Sequence, residues 1–347
     1  MARKAGPTAA PTTAPRTAPQ RPRIGREVLA WGVPAALLLS ALALALMFGA
    51  TNLGPGRVLD GLLDRGTALD RTIVYEIRLP RVLLALAVGA SLAASGTLLQ
   101  GVTRNPLADP HVLGLTAAGA LGVSIAIRIS EDLPQPALAP VAALGAFGGA
   151  ALVYGMSWRG GVSPVRLALS GVAVAALFSS GITTLLVTSN LSTQNALAWL
   201  AGGLFGRGWD DLQVTWPYVA AGLAAAMVLS RGMNILALGD EPAQSLGLHV
   251  ERTRVLAVAA AALLAGASVS AAGMVAFVGL VIPHAGRFLV GDDHRKLIPL
   301  SAILGAALVI YADLFARVVV APTEIPLGIV TAAVGAPFLL YLVRSKT

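Results

Sequence analysis

The chain has 347 residues, 56% of them hydrophobic and only 12% charged, with a mean hydropathy of +0.76. Soluble domains carry about 25% charged residues, so a water-facing surface for this sequence would be hard to build. The absence of cysteine excludes structural disulfides, Cys-ligated zinc and iron–sulfur centres. The formal charge of +8 does not mark a nucleic-acid binder here, because in a membrane protein the distribution of charge matters more than its sum. Apolar runs reach the ~20 residues that cross a bilayer many times over. The chain reads as an all-α polytopic membrane protein.

Residues 1–28 come first. The stretch ARKAGPTAAPTTAPRTAPQRPRIGRE is rich in Pro, Ala, Thr and Arg. It holds too little apolar side chain to offset the entropy of ordering, and a disordered cytoplasmic tail is expected. The run after it is long and lacks a clean small-residue cleavage site, which favours an uncleaved first span over a signal peptide. Ten spans are predicted, at about 29–50, 80–101, 112–128, 138–157, 165–188, 211–230, 255–271, 273–290, 299–317 and 327–343. The division near Gly273 is the least marked, since residues 255–283 form an almost unbroken apolar run; a tight turn at Ala271-Ala272-Gly273 would split it. With the N-terminus inside, most Lys and Arg fall on the cytoplasmic side. They lie in the tail (Arg3, Lys4, Arg16, Arg21, Arg23, Arg26) and at Arg159, Arg166, Arg287, Arg295, Lys296, Arg344 and Lys346. The positive-inside rule then places both termini in the cytoplasm. Gly145 with Gly149, and Gly202 with Gly206, have the small-xxx-small spacing of closely packed membrane helices.

The outer segment 51–79 carries Arg57, Arg65, Arg71 and Arg78 among Asp60, Asp64, Asp70 and Glu76. The next connection, NPLADP, breaks helical continuity through Asn105, Pro106 and Pro110, because proline fixes φ and Asn or Asp bonds to nearby backbone. Pro283 is expected to kink a short span, and Pro326 with Gly328 to open the last one. His294, in GDDHRKL, is the histidine set among acids; a hydrated loop cluster is preferred over a metal site. Asp292 and Asp293 suit a helix cap or pairing with Arg295 and Lys296. Asp313 and Arg317 are four apart and share a helix face, fit either for mutual neutralisation or for the rim of a pathway.

Between the sixth and seventh spans lies ALGDEPAQSLGL, residues 237–248. Asp240, Glu241 and Pro242 suit the first turn of a short helix, since acids favour its positive end and proline needs no amide partner there. Gly247 suits its termination. No GxxxxGK[ST] or HExxH occurs in the chain, so neither a nucleotide site nor a zinc protease site of its own is expected.

Four blocks in order resemble the FecCD-type permeases, the membrane subunits of ABC importers for ferric siderophores, haem and cobalamin. They are RLPRVLLALAVGASLAASGTLLQGVTRNPLADPHVLG (78–114), LALGDEPAQSLGLHVERTR (236–254), GMVAFVGLVIPHAGRFLVGDDHRKLIPLSAILGA (273–306) with ADLFAR (312–317), and EIPLGIVTAAVGAPFLLYL (324–342). The resemblance implies an inverted-repeat type II importer permease fold over residues 29–347, spans two to five repeating as seven to ten. It also implies a homodimer around one path, with the fifth and tenth spans lining much of it. Two cytoplasmic ATPases using ATP and Mg, an extracellular or periplasmic substrate-binding protein, and a ferric siderophore or similar large chelate as cargo follow from it. Cobalamin or haem is the alternative cargo, and an ion-coupled secondary transporter is the rival class. No catalytic residue, cofactor, metal or nucleic acid is implied for this chain itself. Gly239, Asp240, Glu241, Ala243, Ser245, Leu246 and Gly247 would form the ATPase-coupling segment, with Ala243, Ser245 and Leu246 packing on the partner and the two acids setting orientation. Asn105, Pro106, Pro283, Pro326 and Gly328 would border the path, and Arg57, ahead of Arg65, would meet the binding protein.

Overall fold

The computed structural model describes residues 23–130, 134–158, 162–188 and 201–345. Tail residues 1–22, Arg159 and Lys346 lie outside the described residues. The elements in order are α1 (Arg23–Met47), α2 (Pro55–Leu62), α3 (Ala68–Arg71), a π-helical stretch (Thr72–Arg78), α4 (Leu79–Thr103), α5 (Leu115–Ile129), α6 (Gln135–Ser157) and α7 (Pro164–Thr188). There follow α8 (Trp209–Leu236), α9 (Asp240–Ser245), α10 (Val250–Ala272), α11 (Val278–Val290), α12 (His294–Val318) and α13 (Leu327–Ser345). Among the described residues seven helices are long and apolar enough to cross a membrane, and α5, α11 and α13 are shorter apolar helices. Together they match the ten predicted spans. The first begins earlier than predicted, because helix α1 extends back through residues 23–28. The division near Gly273 is real but longer than a tight turn. Gly273, at φ 66°, ends α10, and Phe277, at φ 69°, opens α11. On the other side of NPLADP, Gly114 at φ 76° delays the start of α5 to Leu115.

α4 and α10 are the most buried spans, α1 and α7 the least. α4 packs on α11 and α12, and α10 packs on α5 and α6. Exchanging α4–α6 with α10–α12 maps one set of contacts onto the other, which is the packing of two related halves. Close approach of backbones makes both sets possible. A Cβ on Gly89 would overlap the Gly305 carbonyl, one on Gly96 would overlap that of Gly279, and one on Gly266 would stand 2.6 Å from Ala143 Cα. Gly145 and Gly149 both meet Ala118 of α5, as their spacing predicts. Gly202 and Gly206 do not form such a face. Both lie outside the helices at φ near +70°, and Gly202 lies against the backbone of Met274.

The α4–α11 crossing shows how an interrupted helix is completed inside a membrane. Pro283 has no amide for the Gly279 carbonyl four residues back, and Gln100 of α4 supplies the donor, Nε2 to Gly279 O at 3.1 Å. The same amide nitrogen reaches Leu280 O at 3.3 Å and Ala108 O at 3.3 Å. In hydrocarbon such freed groups must be satisfied by protein. Gly96→Val should therefore disrupt this crossing, at a cost of about 3 kcal/mol or more. Gly148→Val, at a position with open space around it, should cost well under 1 kcal/mol. Thermal unfolding of the two detergent-solubilised variants measures the contrast.

Candidate functional site

The short helix α9 connects α8 and α10 and is bounded by two glycines in backbone conformations that other residues rarely adopt, Gly239 at φ 116° and Gly247 at φ 80°. Asp240 and Glu241 occupy its first turn. Glu241, Ser245, Leu246 and Gly247 are exposed, and so is Leu238 just ahead of the helix. Ser245 Oγ donates back to Glu241 O at 3.0 Å. Ala243 differs from expectation. It is fully buried in the core cluster with Leu236, Met233 and Val250, so it anchors α9 to its own chain and has no surface to offer a partner.

Asp240 is held from two sides. Arg104, the left-handed residue closing α4, donates Nη2 to Asp240 Oδ1. Arg254, in the first turns of α10, donates Nη2 to Oδ1 at 3.0 Å and to Oδ2 at 3.2 Å. Burial raises the Asp240 carboxyl, but the hydrogen bond from Arg104 and the charge of Arg254 outweigh it and hold the group below the usual carboxylate value. Arg254 is only 2% exposed; its Nη1 bonds Val162 O at 3.1 Å and Glu251 Oε2 at 3.4 Å. Glu251 in turn accepts a short hydrogen bond from Tyr154 of α6.

The same end of the molecule holds the NPLADP turn. Asn105 Oδ1 accepts from Leu107 N at 3.0 Å, and Asp109 Oδ1 accepts from His111 N at 2.7 Å. Pro106 is half-buried beside them. Asp109 is buried, which pushes its carboxyl up; the neighbouring His111 and backbone amides of His111, Val112 and Leu280 act against that shift. Because Leu280 lies in the first turn of α11, Asp109 completes that helix start from another segment. Pro283 is also buried at this contact. The GDDHRKL segment is exposed at Asp292, Arg295 and Lys296, as expected of a hydrated loop, but its histidine is not. His294 is buried, with Nδ1 2.9 Å from Asn234 Oδ1. Asp293 caps α12 through Arg295 N at 3.0 Å, and Asp292 pairs with Arg287 at 3.1 Å. Lys296 pairs with Glu27 at 3.2 Å. Among the described residues no group of His, Asp and Glu is arranged to hold a metal ion.

At the opposite end, Arg57 is committed within the chain, its Nη2 2.5 Å from Asp70 Oδ1. Arg65 is exposed. Asp313 and Arg317 do pair, at 3.1 Å, and Arg81 of α4 also bonds Asp313 through Nε and Nη2. Its Nη2 lies 2.7 Å from Asp313 and 2.8 Å from Glu324. Arg78 donates to Leu46 O at 2.7 Å and to Thr51 O. Glu324 leads into Pro326 and Gly328, both half-buried, and Gly328 N donates to Ala201 O at 2.9 Å. Arg81, Glu324, Arg104 and Arg254 were not singled out by sequence reasoning. The signal available was an arginine at the very edge of an apolar run, where a lone charge needs a partner.

A bundle with repeated halves and a short exposed helix between them suits the membrane subunit of a transporter. The model of the FecCD transport family matches residues 37–345, and the chain belongs to that family. It is 38% identical over 322 residues to the Fe(3+)-citrate import system permease protein YfmD of Bacillus subtilis, covering 93% of this chain and 96% of the other. It is 41% identical to the cobalamin import system permease protein BtuC of Halobacterium salinarum, covering 92% and 82%. A solved chain of a metal-chelate type ABC transporter, in an inward-facing conformation, superposes with a TM-score of 0.81 at 31% identity, covering 91% of this chain and 99% of that one. The protein is a multi-pass permease subunit of an ABC importer, not itself an enzyme.

Two outcomes follow from the ion pairs. Arg81→Met leaves two buried or half-buried carboxylates short of a partner and should destabilise the detergent-solubilised protein by roughly 3 kcal/mol. Arg57→Met, where the arginine is half exposed and Asp70 keeps its hydrogen bonds with Thr67, should lower the melting temperature much less. Asp240, with its folded value depressed, contributes stability that is complete above its ordinary value of 3.8 and is lost only as pH falls through the lower folded value. Hydrogen exchange of the α9 amides, corrected for intrinsic rates, should accordingly be flat from neutral pH down to about pH 5, and uniformly faster in Asp240→Asn.

Proposed function

We propose that this chain forms, with a second copy of itself, the translocation path of an ATP-driven importer for a ferric siderophore or a similar large chelate. The observation that carries the reading is α9: a glycine-bounded helix, anchored by Ala243 and Asp240, that presents Leu238 and Leu246 outward, 62% and 63% exposed. Two apolar side chains standing on an ion-paired base suit insertion into a cleft of a cytoplasmic ATPase. The ATPase pair would hydrolyse ATP with Mg, and its closure would bias the bundle between outward- and inward-open states. A substrate-binding protein would deliver cargo at the opposite end, where exposed Arg65 is a better candidate contact than Arg57.

Charge supports placing α9 in the cytoplasm, since Arg104, Arg231, Arg252, Arg295 and Lys296 cluster at its end of the bundle. The pair of Glu27 with Lys296 brings the start of α1 to that end. α13 starts at the opposite end, beside Ala201, and so finishes on the α9 side. Both termini are therefore cytoplasmic in this reading. The exposed apolar faces of α7 (Val165, Leu169, Val172) and α13 (Ile329, Val334) suit the second copy and the path.

Iron chelates are favoured as cargo because several relatives are named for iron import. Cobalamin is the second reading, favoured by the 41% identity to a cobalamin permease. Uptake into proteoliposomes should require ATP, the ATPase and the binding protein; uptake by this chain alone under an ion gradient would sink the reading. Leu246→Asp should abolish ATPase docking and reduce ATP-driven uptake at least about tenfold, since a charge must be desolvated in the cleft, while thermal stability of the permease stays unchanged.

A further inference from the structure

Arg254 touches both the helix that an ATPase would grip and the start of a helix placed to line the path. It is 2% exposed, lies one turn into α10, and spreads its guanidinium between Asp240 of α9 and the carbonyl of Val162. Val162 stands two residues ahead of Pro164, the first residue of α7, and is itself buried in the core cluster. A cleft of ≈ 920 Å³ opens between α9 and this turn, lined by Trp158, Val162, Gln244 and Asp240, with Arg254 across it. A planar guanidinium holds two acceptors in fixed relative orientation, which a lysine ammonium does not. The charge is also too buried to leave either partner without a large penalty. α7 is the least buried of the long spans and packs within the chain mainly on α5 and α6.

We propose that Arg254 is a positioning residue that ties α9 to the head of α7, so that both move as one body when the ATPase closes. This rests on the reading of α9 as the docking helix. The Arg254 side chain spans the gap with two hydrogen bonds to Asp240 and one to Val162 O.

The cysteine-free chain allows a direct test. Gln244→Cys with Val165→Cys places spin labels on α9 and on α7. A second pair, Gln244→Cys with Arg295→Cys, references α9 to α12. In the full transporter with its ATPase, the 244–165 distance should stay constant on adding ATP while the 244–295 distance shifts. Adding Arg254→Met should make the 244–165 distance ATP-dependent and lower cargo moved per ATP about tenfold, the size of a typical coupling energy. Arg254→Lys should recover little of it. An ATP-dependent 244–165 distance in the chain with Arg254 intact overturns the proposal whether or not the Arg254 variants fold. So does native cargo per ATP in Arg254→Met. Failure of the native chain to bind any ATPase is a different result, and it removes the docking reading together with this one.

Discussion

Lipid offers no hydrogen bonds, and the central helix α4 draws those it makes from protein. It does so with side chains that answer their own backbone, Thr97 to Ala93 O and Thr103 to Leu99 O, and with others that reach across, Ser95 to Ala261 O and Gln100 to the carbonyls of Gly279 and Leu280. Such bonds work only at backbone contact, and glycine provides that contact at residues 89 and 96. The remaining helices take their places around this constraint. α10 holds the equivalent place in the other half, with Gly266 against the backbone of Ala143, and the shorter α5 and α11 fit where the chain turns back.

Each end of α4 finishes in charge. At one, Arg81 draws Asp313 and Glu324 together and so joins α4, α12 and the connection into α13. At the other, Arg104 and Arg254 converge on Asp240. The two ends differ in exposure: the Arg81 cluster is nearly closed to solvent, whereas Asp240 is partly open. A closed cluster fixes geometry, and a partly open one tolerates displacement, which suits an end that must respond to a partner. Asp109 adds a third constraint, holding the start of α11 from the NPLADP turn.

The number of spans, their order and the short helix at 240–245 were legible in the sequence because each rests on local signals: apolar length, proline, glycine and acids at a helix start. The division at Gly273 was legible for the same reason. The ion-pair partners were not. Arg81 and Asp313 are joined only by tertiary packing, and nothing in their local sequence links them. Ala243 was misjudged because a six-residue helix has no periodicity long enough to tell its inner face from its outer one. Gly202 and Gly206 were misjudged because a four-residue spacing is blind to backbone conformation; both are left-handed turn residues. The acids around His294 in sequence suggest hydration, whereas in space Asn234 covers it.

Gly114 and Phe277 occupy corresponding left-handed positions ahead of α5 and α11, and their neighbours differ in a complementary way. Beside Gly114 lies Ala175 of α7; beside Phe277 lies Gly335 of α13, where any Cβ would collide with the phenylalanine. Bulk has moved from one side of the contact to the other while the backbone path has stayed the same. The halves match in shape yet are not interchangeable in sequence. Exchanging only one member of either pair would fail, since alanine at 335 would meet Phe277 and phenylalanine at 114 would meet Ala175, so the symmetry of this fold belongs to the backbone and its asymmetry to the side chains.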